Sequence, residues 1–173
     1  MSIAQTRRAN DFRLVRELAA AHPGALRIVR TEGAPPSRYL IEFACRTMVA
    51  LDGDAPTLGD RHTVRIDLDA TYPLTKPRAT VLTPLVNPHV FPSGSVCVGE
   101  IAWNPGESLD LFVRRLRSIL VWDPVVVNLD SPANGEAMQW HRRHPERAPF
   151  DAPQFGGAAP DAPGPAKPAI RFR

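Results

Sequence analysis

Two cysteines serve a chain of 173 residues, and Cys97 lies in the stretch NPHVFPSGSVCVGEIAWNP, from Asn87 to Pro105. Pro88, Pro92, Gly94, Gly99 and Pro105 break helices and suit turns. The thiol is therefore expected on an ordered, irregular loop that a large partner can reach. A free thiol has a pKa of ~8.5, and its small thiolate fraction at neutral pH still attacks thioesters well. The bland use of Cys97 is a small apolar filler between Val96 and Val98. His89 precedes Cys97 by eight positions (97 − 89 = 8). In a hydrolase it would deprotonate the thiol. In an acyl transferase it would donate an N–H to an oxyanion, a contribution of ~10²–10³ in rate. Asn87 is a second candidate donor, and before Pro88 it can equally set a turn. No further residue stands out to orient His89 as a triad would require.

Several classes of chemistry find no support. Cys45 lies 52 positions before Cys97 (97 − 45 = 52), too few thiols for a disulfide framework. It alternates in phase with Tyr39, Ile41 and Phe43 and is expected to be a buried, inert core thiol. No CxxC, HxxxH or HExxH spacing occurs, so no metal site is expected. No G-x-G-x-x-G and no phosphate-binding loop occurs either. Acyl groups handled by Cys97 would have to arrive already activated, with no cofactor. The net charge of +3 is mild, and no basic run exceeds a pair of arginines. Nucleic-acid binding is not expected. No run approaches the ~20 apolar residues of a membrane span, and no secretory signal opens the chain. The expected location is cytoplasmic.

The elements around the loop follow from periodicity. Phe12, Val15, Leu18 and Ala19 have helical spacing within residues 2–21, ended by His22-Pro23-Gly24. Strand-like runs follow at 25–31, 37–51, 62–70 and 78–82, separated by short turns and a polar loop at 52–60. Short connections favour a four-stranded antiparallel meander. From 86 to 106 no periodicity appears, and loops of that length are usually functional. Helical spacing returns at Leu109, Phe112, Val113, Leu116, Ile119 and Leu120, with Ser108 as N-cap. A third helix is expected over 133–143. From 151 proline, alanine and glycine dominate, so 1–150 reads as the domain and 151–173 as a flexible tail. Gly156-Gly157 falls in that tail, with sixteen residues after it (173 − 157 = 16). The fold class is α+β.

From Tyr72 onward the chain resembles a ubiquitin-conjugating enzyme. The residues that carry the resemblance are TYPLTKPRATVL, NPHVFPSGSVC, Trp103-Asn104-Pro105, the helix ending at Asp123-Pro124, and NLDSPANGEAMQW. The resemblance implies the UBC-like fold: an N-terminal helix, the meander, the active-site loop and C-terminal helices. It places Cys97 on the thioester-forming cysteine, His89 on the family's oxyanion asparagine and Asn87 on the family's histidine. The family's His-Pro-Asn tripeptide is thus inverted to Asn-Pro-His. Trp103 follows Cys97 by six positions (103 − 97 = 6), which implies a shortened loop. Asn128 and Asp130 match, and Ser131 replaces a second acid, leaving Asp130 to position and desolvate an attacking lysine. The arginines from Arg7 to Arg16 lie where members of the family dock activating enzymes and ligases. The implied activity is acyl transfer: a ubiquitin-like protein comes from an activating enzyme to Cys97, then goes to a target amine, with or without a ligase. The divergent loop and early tail are similar to those of bacterial relatives in modification or defence operons. Three rival readings accompany this one: a non-catalytic UBC-fold scaffold that binds ubiquitin-like proteins, a Cys97–His89 thiol hydrolase, and a pure interaction domain of an antiviral complex in which Cys97 is unused.

Overall fold

The computed structural model describes residues 2–98 and 103–156. Helix α1 (Ile3–Ala21) starts at Ser2, whose hydroxyl accepts the Gln5 N–H while the Gln5 side chain reaches back, a capping box. Four strands follow: β1 (Leu26–Gly33), β2 (Pro36–Asp52), β3 (Ala55–Asp67) and β4 (Arg78–Val81). They form one antiparallel sheet in the order β1-β2-β3-β4, the expected meander. Helices α2 (Leu109–Leu120) and α3 (Gly135–Arg143) complete the α+β fold.

The core matches the alternation that β2 shows in sequence. Tyr39, Ile41, Phe43 and Cys45 are buried against Val64 and Ile66 of β3 and against Leu109, Phe112, Val113, Leu116 and Leu120 of α2. The polar loop expected at 52–60 is instead largely strand. Thr47 pairs with Gly59, Met48 with Leu58, and Asp52 with Ala55, so only a tight turn separates β2 from β3. Gly53, at φ +58, takes the left-handed backbone that this turn needs. Pairing with β2 overrides the weak local propensity of APTLGD.

Asp11, on the inner face of α1, is fully buried and organises the helix pair. Its carboxylate accepts from the Arg7 Nε at 2.8 Å and the Tyr72 hydroxyl at 2.5 Å. It also accepts from the Leu109 N–H at 3.1 Å, so it caps α2 from another helix. Ser108, the expected N-cap, occupies that position but makes no capping bond; its hydroxyl donates to Asp110. Arg7 also donates to the carbonyls of Pro105 and Glu107, and Arg8 to that of Asp69. Two of the arginines expected to face a partner are thus spent inside the molecule.

The C-terminal end of α2 is a Schellman turn: the Trp122 N–H donates to the Ile119 carbonyl and the Asp123 N–H to that of Ser118. Trp122 holds φ +66, the one positive φ outside glycine among the described residues. Such a backbone costs a residue with a Cβ about 1–2 kcal/mol. Packing offsets it, because the ring meets Trp140, His141 and Phe150 at centroid distances of 5.8, 5.6 and 5.4 Å.

The domain boundary expected at 150 falls inside packed chain. Phe155 is only 4% exposed and stacks with His22 and Phe43, with the Arg117 guanidinium over its ring at 5.1 Å. Asp151 accepts the Arg46 N–H at 2.9 Å and lies 3.9 Å from Arg117. Two phenylalanines and one carboxylate therefore fasten residues 150–155 as a strap across the sheet and α2. The remaining tail and Gly157 lie outside the described residues.

Candidate active site

The loop that carries Cys97 is built by addition to the sheet. The Val81 N–H donates to the Gly94 carbonyl and the Val96 N–H to that of Ala79, so residues 94–96 pair along β4. Val90 and Val96 bridge across the turn, and the Phe91 N–H donates to Ser95. Gly94 has φ +84, and a Cβ there would sit 2.4 Å from the Val81 carbonyl oxygen. The ordered, irregular loop expected here thus folds back on itself through isolated bridges as a short hairpin that ends at Cys97. The cysteine is partly exposed, whereas Val98 beside it is buried. The shortening expected between Cys97 and Trp103 falls on residues 99–102, outside the described residues.

One imidazole holds this site together. His89 is 1% exposed. Its carbonyl accepts the Cys97 N–H at 2.7 Å, and its Nδ1 lies 3.0 Å from the Cys97 carbonyl oxygen. Its Nε2 accepts the Asn128 backbone N–H at 2.7 Å. A backbone N–H can only donate, so Nε2 carries no proton and Nδ1–H is the donor to Cys97. The ring is the neutral Nδ1–H tautomer. Burial lowers the His89 pKa, partly opposed by the bond to the Cys97 carbonyl. Both ring nitrogens are occupied, so His89 is not placed as a base for the thiol, and the Cys/His hydrolase reading loses its dyad. No N–H remains for an oxyanion either.

Asn87 is fully buried and equally committed. Its amide nitrogen donates to the Ile119 carbonyl at 2.7 Å, with Leu120 at 3.5 Å, and its Oδ1 accepts the His89 N–H at 2.8 Å. The donor roles expected for His89 and Asn87 give way to positioning: Asn87 ties the loop to the end of α2, and His89 ties Cys97 to the segment after α2. That segment is fastened again where the Ala133 N–H donates to the Pro88 carbonyl at 2.7 Å.

Asp130 is exposed on this segment. Its N–H donates to the Asn128 side-chain oxygen at 2.9 Å, an Asx-turn. The structure therefore brings the Asp130 turn beside the Cys97 loop through His89, two residues from the Asn128 latch. Trp103 packs against Tyr72 and Phe112 and donates its indole N–H to the Pro73 carbonyl at 2.6 Å. Sequence reasoning missed the Asn128 backbone latch. No local pattern announces a backbone N–H that meets a histidine 39 positions away (128 − 89 = 39).

Cys45 has the opposite setting. It is 2% exposed, and burial pushes its pKa up to about 12, with Arg117 partly offsetting that effect. No group of three or more potential metal ligands occurs among the described residues.

The comparisons with known proteins bear on the fold and the family. A solved structure described as a putative ubiquitin conjugating enzyme from Trypanosoma cruzi overlays with a TM-score of 0.63, covering 84% of this chain and 95% of that one. At 18% identity it shows the fold alone. The SUMO-conjugating enzyme UBC9 of Caenorhabditis elegans is 26% identical over 124 residues, 68% of this chain and 70% of that protein. The ubiquitin-conjugating enzyme E2 PEX4 of Gibberella zeae is 36% identical over 63 residues, and the match spans 35% of this chain and 37% of that relative. The family model for "Ubiquitin-conjugating enzyme" matches residues 42–152, well over half of the chain, and the chain belongs to that family.

Proposed function

We propose that this chain is a conjugating enzyme that carries a ubiquitin-like protein as a thioester on Cys97. The observation that supports this reading best is the contrast in thiol placement. Cys97 is partly exposed at the end of a short hairpin, its N–H and carbonyl both bonded to His89. In the first step the Cys97 thiolate attacks the acyl carbon of a thioester on an activating enzyme. A new C–S bond forms, and the donor's thiolate leaves. In the second step a neutral amine, a target lysine, attacks the Cys97 thioester. A C–N bond forms, Cys97 leaves as thiolate, and the amine's proton passes to an acceptor. A free lysine has a pKa of ~10.4, so the site must favour its neutral form. Asp130, exposed on the adjoining turn, is the acid this reading assigns to the incoming amine. His89 and Asn87 hold the loop. Transfer with or without a ligase, a bacterial defence operon and a cytoplasmic setting belong to the same proposal, and neighbouring genes and cell fractionation test the last two.

The test uses ubiquitin and SUMO as C-terminal mercaptoethanesulfonate thioesters, so that no cognate activating enzyme is needed. The expected result on a non-reducing gel is an adduct that reductant removes. Cys97→Ala abolishes it, Cys45→Ala retains it, and Cys97→Ser yields a slower, reductant-resistant ester. An adduct that persists in Cys97→Ala overturns the assignment. Failure of both thioesters to load leaves the non-catalytic scaffold as the better reading.

A further inference from the structure

We propose that Trp122 is a positioning residue for transfer at Cys97. The inference rests on the conjugating reading above and deepens it. Trp122 sits where a Schellman turn ordinarily carries glycine, with φ +66 and 1% exposure. Non-glycine residues persist in such a backbone only where their surroundings over-determine them, and these places cluster at functional sites. Here the surroundings are the rings of Trp140 and His141 on α3 and Phe150 on the strap. The strap also bonds the turn directly, because the Phe150 N–H donates to the Val121 carbonyl at 3.0 Å.

The turn connects to the Cys97 loop through one shared atom. The Ile119 carbonyl oxygen accepts the Trp122 N–H at 3.0 Å and the Asn87 amide at 2.7 Å. From Asn87 the chain of bonds runs to the His89 N–H, and from the His89 ring to the Cys97 carbonyl. Trp122 also aims the segment that follows it. Asp123 accepts the N–H groups of Val126 and Val127 on its carbonyl and that of Val125 on its side chain. Five residues past Asp123 the Asn128 N–H reaches His89 (128 − 123 = 5). The turn at Trp122 thus sets both routes into the site, one through Asn87 to the thiol and one through Asn128 to the Asp130 turn. Its ring, locked by α3 and the strap, fixes where the turn points.

W122G is the discriminating variant, because glycine suits the backbone and only the ring is lost. The readouts are loading from the ubiquitin thioester and discharge of the loaded protein to free lysine at varied lysine concentration. Sub-ångström misplacement at a reacting centre lowers the turnover step more than binding. The expected result for W122G is loading within ~2-fold of wild type, maximal discharge lower by ~10-fold, and a half-saturating lysine concentration within ~2-fold. W122F, which keeps an aromatic ring in the cage, is expected to restore discharge to within ~3-fold. F150L, which loosens the cage from the strap, is expected to lower discharge ~3-fold. Wild-type discharge in W122G, or equal loss of loading and discharge tracking a fall in Tm without rescue by W122F, overturns the inference. A wild-type chain that forms no thioester sinks the conjugating reading itself; a transferring wild type beside a fully active W122G sinks only the role of Trp122.

Discussion

Cys45 and Cys97 place the same thiol in two parts of one sheet-based domain. Cys45 lies on the buried face of β2 at 2% exposure, with its pKa pushed up to about 12. Cys97 lies on a hairpin added to β4, partly exposed, with its N–H and carbonyl both bonded to His89. A core strand buries its side chains through apolar packing, which silences a thiol by desolvation. A hairpin held by backbone bonds fixes the main chain and leaves the side chain free to react. Accessibility of each thiol here follows from which of the two, packing or backbone bonding, holds the residue.

The largest expected effect is a separation of labelling rates. Cys97 is expected to react with an aromatic disulfide as an accessible thiol. Cys45 waits for an opening of the core, which costs about 5 kcal/mol or more in a stable domain, so it reacts at least ~10³-fold more slowly. Mass spectrometry of the labelled peptides reads the ratio. Equal rates at the two sites would erase the contrast.

Removing the strap should narrow that contrast. Truncation after Phe150 deletes Asp151, which bonds the Arg46 N–H, and Phe155, which covers Phe43 and Arg117. Loss of one buried phenylalanine contact surface costs about 2–3 kcal/mol. It also leaves Arg117, 4% exposed in the intact chain, without the ring over it. The urea midpoint should fall and Cys45 labelling should accelerate, whereas truncation after Gly156 should change neither. A strapless chain with unchanged Cys45 protection would show that residues 151–155 do not hold the core closed.

These residues also mark what the sequence could disclose. The amphipathic phases of α1, β2 and α2 are local, and Val15, Leu18, Tyr39, Ile41, Phe43, Phe112 and Leu116 are all buried as their spacing implies. The partial exposure of Cys97 is legible from the turn residues around it. The polar APTLGD stretch carries no local strand signal, because its partners in β2 supply the order. Phe155 reads as tail because its neighbours are proline, glycine and alanine, and nothing local indicates the pocket formed by His22, Phe43 and Arg117. Asp11 as the cap of α2, and His89 as a bridge rather than a donor to the reaction, depend on contacts between residues 98 and 39 positions apart.

Gly94 tests the hairpin itself. Alanine there meets both a φ of +84 and the Val81 carbonyl 2.4 Å from its Cβ, and backbone cannot yield as a side-chain tip can. Strain of this kind costs about 1–3 kcal/mol. Because residues 94–96 carry the ladder to β4, the Gly94→Ala loop should also detach in part, with faster amide exchange at Val81 and Val96. Cys45 labelling should hardly change. If Gly94→Ala keeps wild-type stability and exchange, the loop does not depend on its pairing with β4.

The smallest effect is the pH dependence that His89 imposes. Burial lowers its folded pKa below that of the unfolded chain, as it does for His62 and His141. Below pH ~6.5 the unfolded chain takes up protons that the folded chain refuses. The contribution is fully present above that pH and is lost as pH falls from 6.5 toward the folded pKa. Each such histidine adds up to about 1.4 kcal/mol per pH unit to the slope in that window. Protonated His89 would set an Nε2–H against the Asn128 N–H, so the latch should open with the same titration. His89→Gln cannot titrate, and its urea midpoint should fall less steeply between pH 7 and 5 than that of wild type. A parallel slope in the two proteins would place the protonation elsewhere, and His62, bonded to the Cys45 carbonyl in the buried half of the comparison, would be the group to change next.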